Sequence, residues 1–237
     1  MIETAPLWKP AGQIDRYPNL LENGAHLSAA EFMRRYEASP EVKKAELING
    51  IVYMGSPVRI DQHGFPDSLI QAWLASYAIA TPGVKSATNS TARLGPDDVP
   101  QPDGLLMIVR ERGGQARVNA EGYLQGAPEL VAEVAASSAS LDAREKLVSY
   151  RRAGVIEYLL WRTAQATVDW FILEEDEYRP LPAGADGVWR SRVFPGLWLD
   201  PAALLAEDGA KVLKKLEEGL RSAEHAAFVT GLQRRVG

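Results

Sequence analysis

The chain has 237 residues, 46% hydrophobic and 24% charged, with a formal net charge of −5 and no cysteine. This fits one globular domain with appendages, excludes disulfides, thiolate metal sites and cysteine nucleophiles, and argues against a broadly basic nucleic-acid coat while leaving room for a local basic groove. No apolar run approaches the roughly 20 residues that span a bilayer, and Met1 to Pro18 lacks the basic start and apolar core of a signal peptide, so a cytoplasmic protein without a membrane partner is expected.

Residues 1–25 carry Pro6, Pro10, Gly12, Pro18 and Gly24 and read as an extended arm. Leu7, Trp8, Ile14 and Tyr17 suggest that the arm packs on something, a second subunit being one choice and a mobile tail the other. Ser28 is placed to cap a helix running to about Glu37, with Glu31 completing a capping box and Ser39-Pro40 ending it. Ala45–Ile48 and Ile51–Met54 flank Asn49-Gly50, the signature of a tight hairpin, in a register that pairs Glu46 with Tyr53. Leu69, Ile70, Trp73, Leu74 and Tyr77 recur at helical spacing across 68–80, and Thr81-Pro82-Gly83 stops the run. Val84–Leu94 is weakly strand-like. Asp97 to Gly104 leads into Leu105–Val109, a buried-type strand, and Arg110–Gln125 is a charged loop.

Gly126 to Trp161 reads as strand, loop, helix, strand. Leu130–Ala136 is an apolar run interrupted by Glu133, Ser137–Ser140 is a polar break, Leu141–Ala153 is helical with Gly154 to end it, and Val155–Trp161 is the second strand. At about 100° per residue, Lys146 shares a helical face with Asp142, Ser149, Tyr150 and Ala153, while Arg144, Glu145, Arg151 and Arg152 fall toward water. Further β segments follow at Ala166–Leu173, Asp176–Leu181 and Val188–Val193, and Lys211–Gln233 reads as one long charged helix with Val212, Leu216, Leu220 and Phe228 along one side. Helices alternate with strands, which predicts an α/β domain with a mixed central sheet flanked by helices over 26–205. The arm (1–25) precedes it and a C-terminal helix (206–237) follows.

Two charges demand an account. Glu133 sits in a run that a central strand would bury on both faces, where an ionised carboxylate is costly unless paired or coordinated. Asp103 stands at the mouth of the other buried-type strand. If the two strands are neighbours, their carboxylates meet at one end of the sheet, and two hard oxygen ligands there suit Mg²⁺, with water and phosphate oxygens completing its octahedron. Lys146 beside them could orient a water or neutralise charge building on a phosphate. Each residue also has a plainer reading: Asp103 as a turn residue before Gly104, Glu133 as a buried ion pair with Lys146 itself, Lys146 as a solvated lysine, Glu46 as a hairpin-face carboxylate, and His63 as a capping or packing histidine.

Pro102-Asp103 followed by Glu133-Val134-Ala135 resembles the PD-(D/E)XK motif of the restriction-endonuclease-like superfamily. The ordered set is similar to the bacterial "putative restriction endonuclease" family. It comprises Glu46-Leu47-Ile48-Asn49-Gly50, Pro100-Gln101-Pro102-Asp103, Gly126 to Leu130, Glu133-Val134, Ser137 with Ser138, Asp142, Lys146, Tyr150, Gly154-Val155, Glu157-Tyr158 and Phe194 to Trp198. The resemblance spans roughly Ser28 to Leu205 and implies a restriction-endonuclease-like fold. It also implies a Mg²⁺-dependent endonuclease hydrolysing nucleic-acid phosphodiester bonds, with Mn²⁺ as a substitute and DNA as the expected partner. A homodimer is the expected assembly because the apolar arm, Leu7 to Tyr17, and the long C-terminal helix both need a surface to cover. Asp103 and Glu133 would hold the metal. The superfamily's lysine usually stands two residues after the glutamate, where this chain has Ala135, so the resemblance implies that Lys146 supplies the ammonium; Glu46 matches a recurrent acidic position. Arg110, Arg112 and Arg117 are the expected phosphate contacts. Two rivals stay open: a catalytically silent nuclease-fold protein acting as a DNA-binding or assembly module, and a metal-free carboxylate-pair hydrolase such as a glycosidase.

Overall fold

The computed structural model describes residues 20–55, 57–136 and 140–235, without the side chains of 140–143. The elements begin with α1 (Ala29–Glu37), the hairpin strands β1 (Ala45–Ile48) and β2 (Ile51–Met54), and α2 (Phe65–Ala80). Then come β3 (Val84–Thr88), β4 (Ala92–Arg93), β5 (Gly104–Ile108), β6 (Arg117–Val118), β7 (Leu124–Gln125), β8 (Leu130–Ala135), α3 (Ser140–Ala153) and β9 (Glu157–Arg162). The chain continues through β10 (Thr167–Glu174), β11 (Glu177–Pro180), β12 (Trp189–Arg190) and β13 (Trp198–Leu199) to α4 (Pro201–Leu205), α5 (Gly209–Leu220) and α6 (Ala223–Arg234).

The central sheet has six strands in the order β11-β10-β9-β8-β5-β3. β8 and β9 run parallel, joined through α3 as a parallel pair requires, and the other pairings are antiparallel. It is the expected mixed sheet flanked by helices. Strand alternation sorts the core into two layers. Leu106, Ile108, Leu130, Ala132, Val134, Leu159 and Trp161 face α2 and the C-terminal helices. Leu105, Met107, Val131, Tyr158 and Leu160 face Tyr150 of α3. Asp103 and Glu133 have the parity of the second set, so both belong to the α3 side.

The hairpin forms in the expected register, with Glu46 opposite Tyr53 and positive φ at Asn49 and Gly50. One face, with Ala45, Leu47 and Val52, is buried against Phe32 and Met33 of α1. Ser28 caps α1 as read, accepting from the Glu31 amide at 3.3 Å, while the Glu31 carboxylate engages Arg34 and Arg35.

The C-terminal segment corrects the single long helix. It breaks at Arg221-Ser222 into α5 and α6. Gly219 lets the end of α5 settle on the Gly196 turn, where an added Cβ would lie 2.2 Å from the Gly196 carbonyl, and the Ser222 hydroxyl caps α6. Val212, Leu216 and Leu232 join the main core, so these helices find their covering within the chain and give no reason for a second copy. The arm falls outside the described residues up to position 19. Among the described residues no helix is long and apolar enough to cross a membrane.

Glu157 lies on the α2 side, fully buried, its carboxylate accepting from Ser191 Oγ (2.8 Å) and the amides of Arg192 (2.7 Å) and Val193 (3.2 Å). Burial pushes its pKa up to about 7, those hydrogen bonds offsetting part of the effect. The folded pKa lies above the unfolded one, so between about pH 4.5 and 7 the native state binds more protons and stability falls as pH rises. Glu157→Gln is expected to remove that slope, so the urea midpoint of the variant relative to the parent should rise from pH 5 to pH 8, with a limit of about 3 kcal/mol. A constant difference across that range would refute it.

Candidate functional site

The register of two strands builds the site. Gly104 pairs with Ala132 across β5 and β8, which sets Asp103 against the Glu133 end of β8. Asp103 is held by several partners: Oδ2 accepts from the Val134 amide (2.9 Å) and lies 3.3 Å from His63 Nε2, and Oδ1 lies 3.5 Å from Lys44 Nζ. Its carbonyl accepts from Gln71 Nε2 of α2 at 2.7 Å, and Gly104 leaves room for that approach, since a Cβ there would meet Leu74 at 2.8 Å. Burial alone would raise the pKa of Asp103, but His63, Lys146, Lys44 and the Val134 amide together hold it well below the usual carboxylate range.

Glu133 Oε1 accepts from the Tyr150 hydroxyl at 2.6 Å and from Lys146 Nζ at 3.0 Å. The same ammonium lies 2.9 Å from Glu46 Oε1, which also accepts from the Gln101 amide at 2.7 Å. Burial raises the Glu133 pKa, with Lys146 pulling it back. Burial disfavours the Lys146 ammonium, yet Glu133, Glu46 and Asp103 outweigh it and keep the group charged. Asp103, Glu133, Lys146 and Glu46, the four residues singled out from the sequence, thus converge on one cavity of about 480 Å³. Ala135, two residues beyond Glu133, lines it as well.

A second polar node, which meets the cavity only at Glu145, aligns the hairpin with α3. Buried Asp98 accepts from the Asn49 amide (2.9 Å) and Ser149 Oγ (2.7 Å) and pairs with Arg152, while Asn49 Nδ2 donates to Glu145. Arg152 faces water as the helical projection suggested, yet it and Glu145 also grip Asn49 and Asp98 and so hold the hairpin that carries Glu46.

His63 is more than a capping or packing residue. It sits on a π-helical turn, Ile60–Gly64, that leads into α2, and hydrogen bonding to Asp103 raises its pKa despite burial. Lys44 was missed; it precedes Glu46 by two residues, and strand alternation was the signal that could have found it. The arginines expected to meet phosphate lie elsewhere. Arg110 and Arg112 follow β5 at its far end, roughly 17 Å along the strand from Asp103, with Arg112 bound to the Leu232 carbonyl, and Arg117 belongs to the small sheet β4-β7-β6. Among the described residues, the basic side chains lining the site are Lys44, Arg59, His63 and Lys146.

Among the described residues, no group of three or more His, Asp or Glu side chains stands ready to hold an ion. Mg²⁺ asks less of the protein, taking one or two carboxylates and keeping waters or phosphate oxygens elsewhere. Two hard carboxylates, Asp103 just before β5 and Glu133 on the adjacent β8, in a cluster that already draws a cation in Lys146, fit that demand.

A mixed sheet with this strand order and helices on both faces is the restriction-endonuclease-like fold. A crystal structure from Anabaena variabilis ATCC 29413, of "a putative nuclease belonging to DUF820", shares it with a TM-score of 0.57 and 15% identity over 76% of this chain and 98% of that one. The chain belongs to the Uma2 family, described as "Putative restriction endonuclease", whose model matches residues 29–202. No curated protein matches the chain.

Proposed function

We propose that the protein is a Mg²⁺-dependent endonuclease that hydrolyses nucleic-acid phosphodiester bonds, with DNA the expected substrate. The observation that carries this reading is the convergence of Asp103, Glu133 and a charged Lys146 on one open cavity in a chain of a nuclease-described family. Asp103 and Glu133 would hold the ion, Mn²⁺ serving as substitute. When bound, it supplies Lewis-acid stabilisation of the charge that builds on phosphate oxygens.

The residues' own parts follow from their contacts. The Val134 amide and His63 orient Asp103, and the Tyr150 hydroxyl orients Glu133. Lys146, kept protonated, acts by charge and direction, placing its ammonium where a phosphate oxygen gains negative charge. Glu46 fixes that ammonium from the opposite side. In the net reaction a water oxygen bonds to phosphorus, the ester P–O bond breaks, and the leaving oxygen takes up a proton.

A catalytically silent module of the same fold is the second reading. It is favoured by Ala135 at the usual lysine position and by an ammonium already neutralised by Glu133 and Glu46. One experiment separates the two. Purified protein incubated with DNA and RNA is expected to cleave with Mg²⁺ or Mn²⁺ and not with EDTA, and Asp103→Asn and Glu133→Gln should each remove the activity. Cleavage surviving EDTA, or no cleavage of any substrate with either ion, would overturn the metal-dependent reading.

A further inference from the structure

The cavity is larger and less polar than a phosphodiester needs. At about 480 Å³ it falls within the range of about 300–1,000 Å³ typical of pockets that enclose small molecules. Its lining joins an ionic set, Asp103, Glu133 and Lys146, to an apolar one, Tyr53, Met54, Pro57 and Val58. Tyr53 reaches this wall because it pairs directly with Glu46 across the hairpin, which puts both side chains on one face. Tyr158 lines the same cavity with a buried hydroxyl that has no hydrogen-bond partner among the described residues. Such a group is uncommon in folded proteins. Arg59 and His63 border the cavity on the π-helical turn and its approach.

We infer that this cavity holds one nucleotide taken out of the base stack, its base against Tyr53 and Met54 and its phosphate toward Lys146, so that the protein engages single-stranded or locally unpaired nucleic acid in preference to a matched duplex. The phosphate's destination rests on the phosphodiesterase reading above; the base's destination rests on the apolar wall. A stacked, paired base cannot enter such a cavity. Extruding one costs unstacking and unpairing, and least where the base is already unpaired. An aromatic wall returns part of that cost for any base, because every base has a π-face.

The test is a binding experiment on the full chain, in Ca²⁺, with an oligonucleotide carrying one 2-aminopurine. The probe is offered as a single strand, as a matched duplex, and as a duplex with that base unpaired. The single-stranded and unpaired probes are expected to bind at least about tenfold tighter than the matched duplex, with 2-aminopurine fluorescence quenched on binding. Tyr53→Ala should weaken binding of the unpaired probes by about fivefold to a hundredfold and abolish the quench, while Tyr53→Phe restores both. If Tyr53→Ala does not fold, Tyr53→Leu removes the ring and keeps apolar bulk. Equal affinity for matched and unpaired probes, no binding of any probe, or ring-free variants that bind and quench like the parent would each overturn the inference. Cleavage is not read here, so a protein that binds unpaired bases in this test and fails to cut with Mg²⁺ or Mn²⁺ in the experiment above would refute the catalytic reading and leave this one standing.

Discussion

Lys146→Ala is expected to abolish metal-dependent cleavage and, at the same time, to lower stability by about 3 kcal/mol. The two effects have one origin. The ammonium lies 3.0 Å from Glu133 and 2.9 Å from Glu46 and feels Asp103 as well. Removing it leaves buried carboxylates facing one another, and breaking one partner of a buried pair strands the other charge. Protonation of Glu133, favoured by its burial, limits the cost. A silent substitution in the fold, the simplest expectation from a lysine on a helix surface, is thus not expected here. Lys146→Arg keeps the charge but spreads it over a planar fork that cannot occupy the same point between two glutamates, so partial activity at best should remain. Ala135 lines the cavity two residues beyond Glu133, so Ala135→Lys in the Lys146→Ala background should recover some cleavage. Initial rates with Mg²⁺ and urea midpoints measure both effects. A Lys146→Ala variant that cuts at the parental rate would end the mechanism.

Trp73→Ala should cost about 4 kcal/mol, a large part of the stability of a domain this size. Trp73 is fully buried, packs edge-on against Trp170 at 5.6 Å between centroids, and donates from Nε1 to the Trp198 carbonyl at 3.0 Å. It joins α2, the sheet and the C-terminal layer at one point, so truncation leaves a cavity and a carbonyl without its donor. Trp73→Phe, which fills most of the volume and loses the hydrogen bond, should cost roughly 1–2 kcal/mol beyond its lost packing. The effect reaches the site, because α2 also carries Gln71, whose amide holds the Asp103 carbonyl. Urea unfolding at fixed pH is the check, and a midpoint for Trp73→Ala within error of the parent would contradict the assignment.

What was legible in the sequence was local and strongly patterned. Asn49-Gly50 between alternating runs announced the hairpin and its register. A lone glutamate in an apolar strand announced a group in need of a partner, and a lysine on the small-residue face of the next helix was that partner. What was not legible came from packing between distant segments. Nothing near His63 in the chain says that its turn folds back onto Asp103, forty residues later in sequence. Asp98 and Arg152 meet only because the hairpin docks on α3. The break in the C-terminal helix was written locally, in Gly219 and the capping Ser222, but an uninterrupted apolar stripe concealed it.

The ends of the central sheet bear on how copies of the chain can associate. β11 exposes Glu177 and Arg179, ties Glu177 to Arg151, and finishes at Pro180, which has no amide hydrogen to offer another strand. β3, at the opposite edge, is short and presents an exposed Lys85. Charge, proline and brevity at a sheet margin oppose strand-to-strand addition. Self-association by continuing the sheet from one molecule into the next is therefore disfavoured at both margins. The same margins guard the central sheet against growing into fibres.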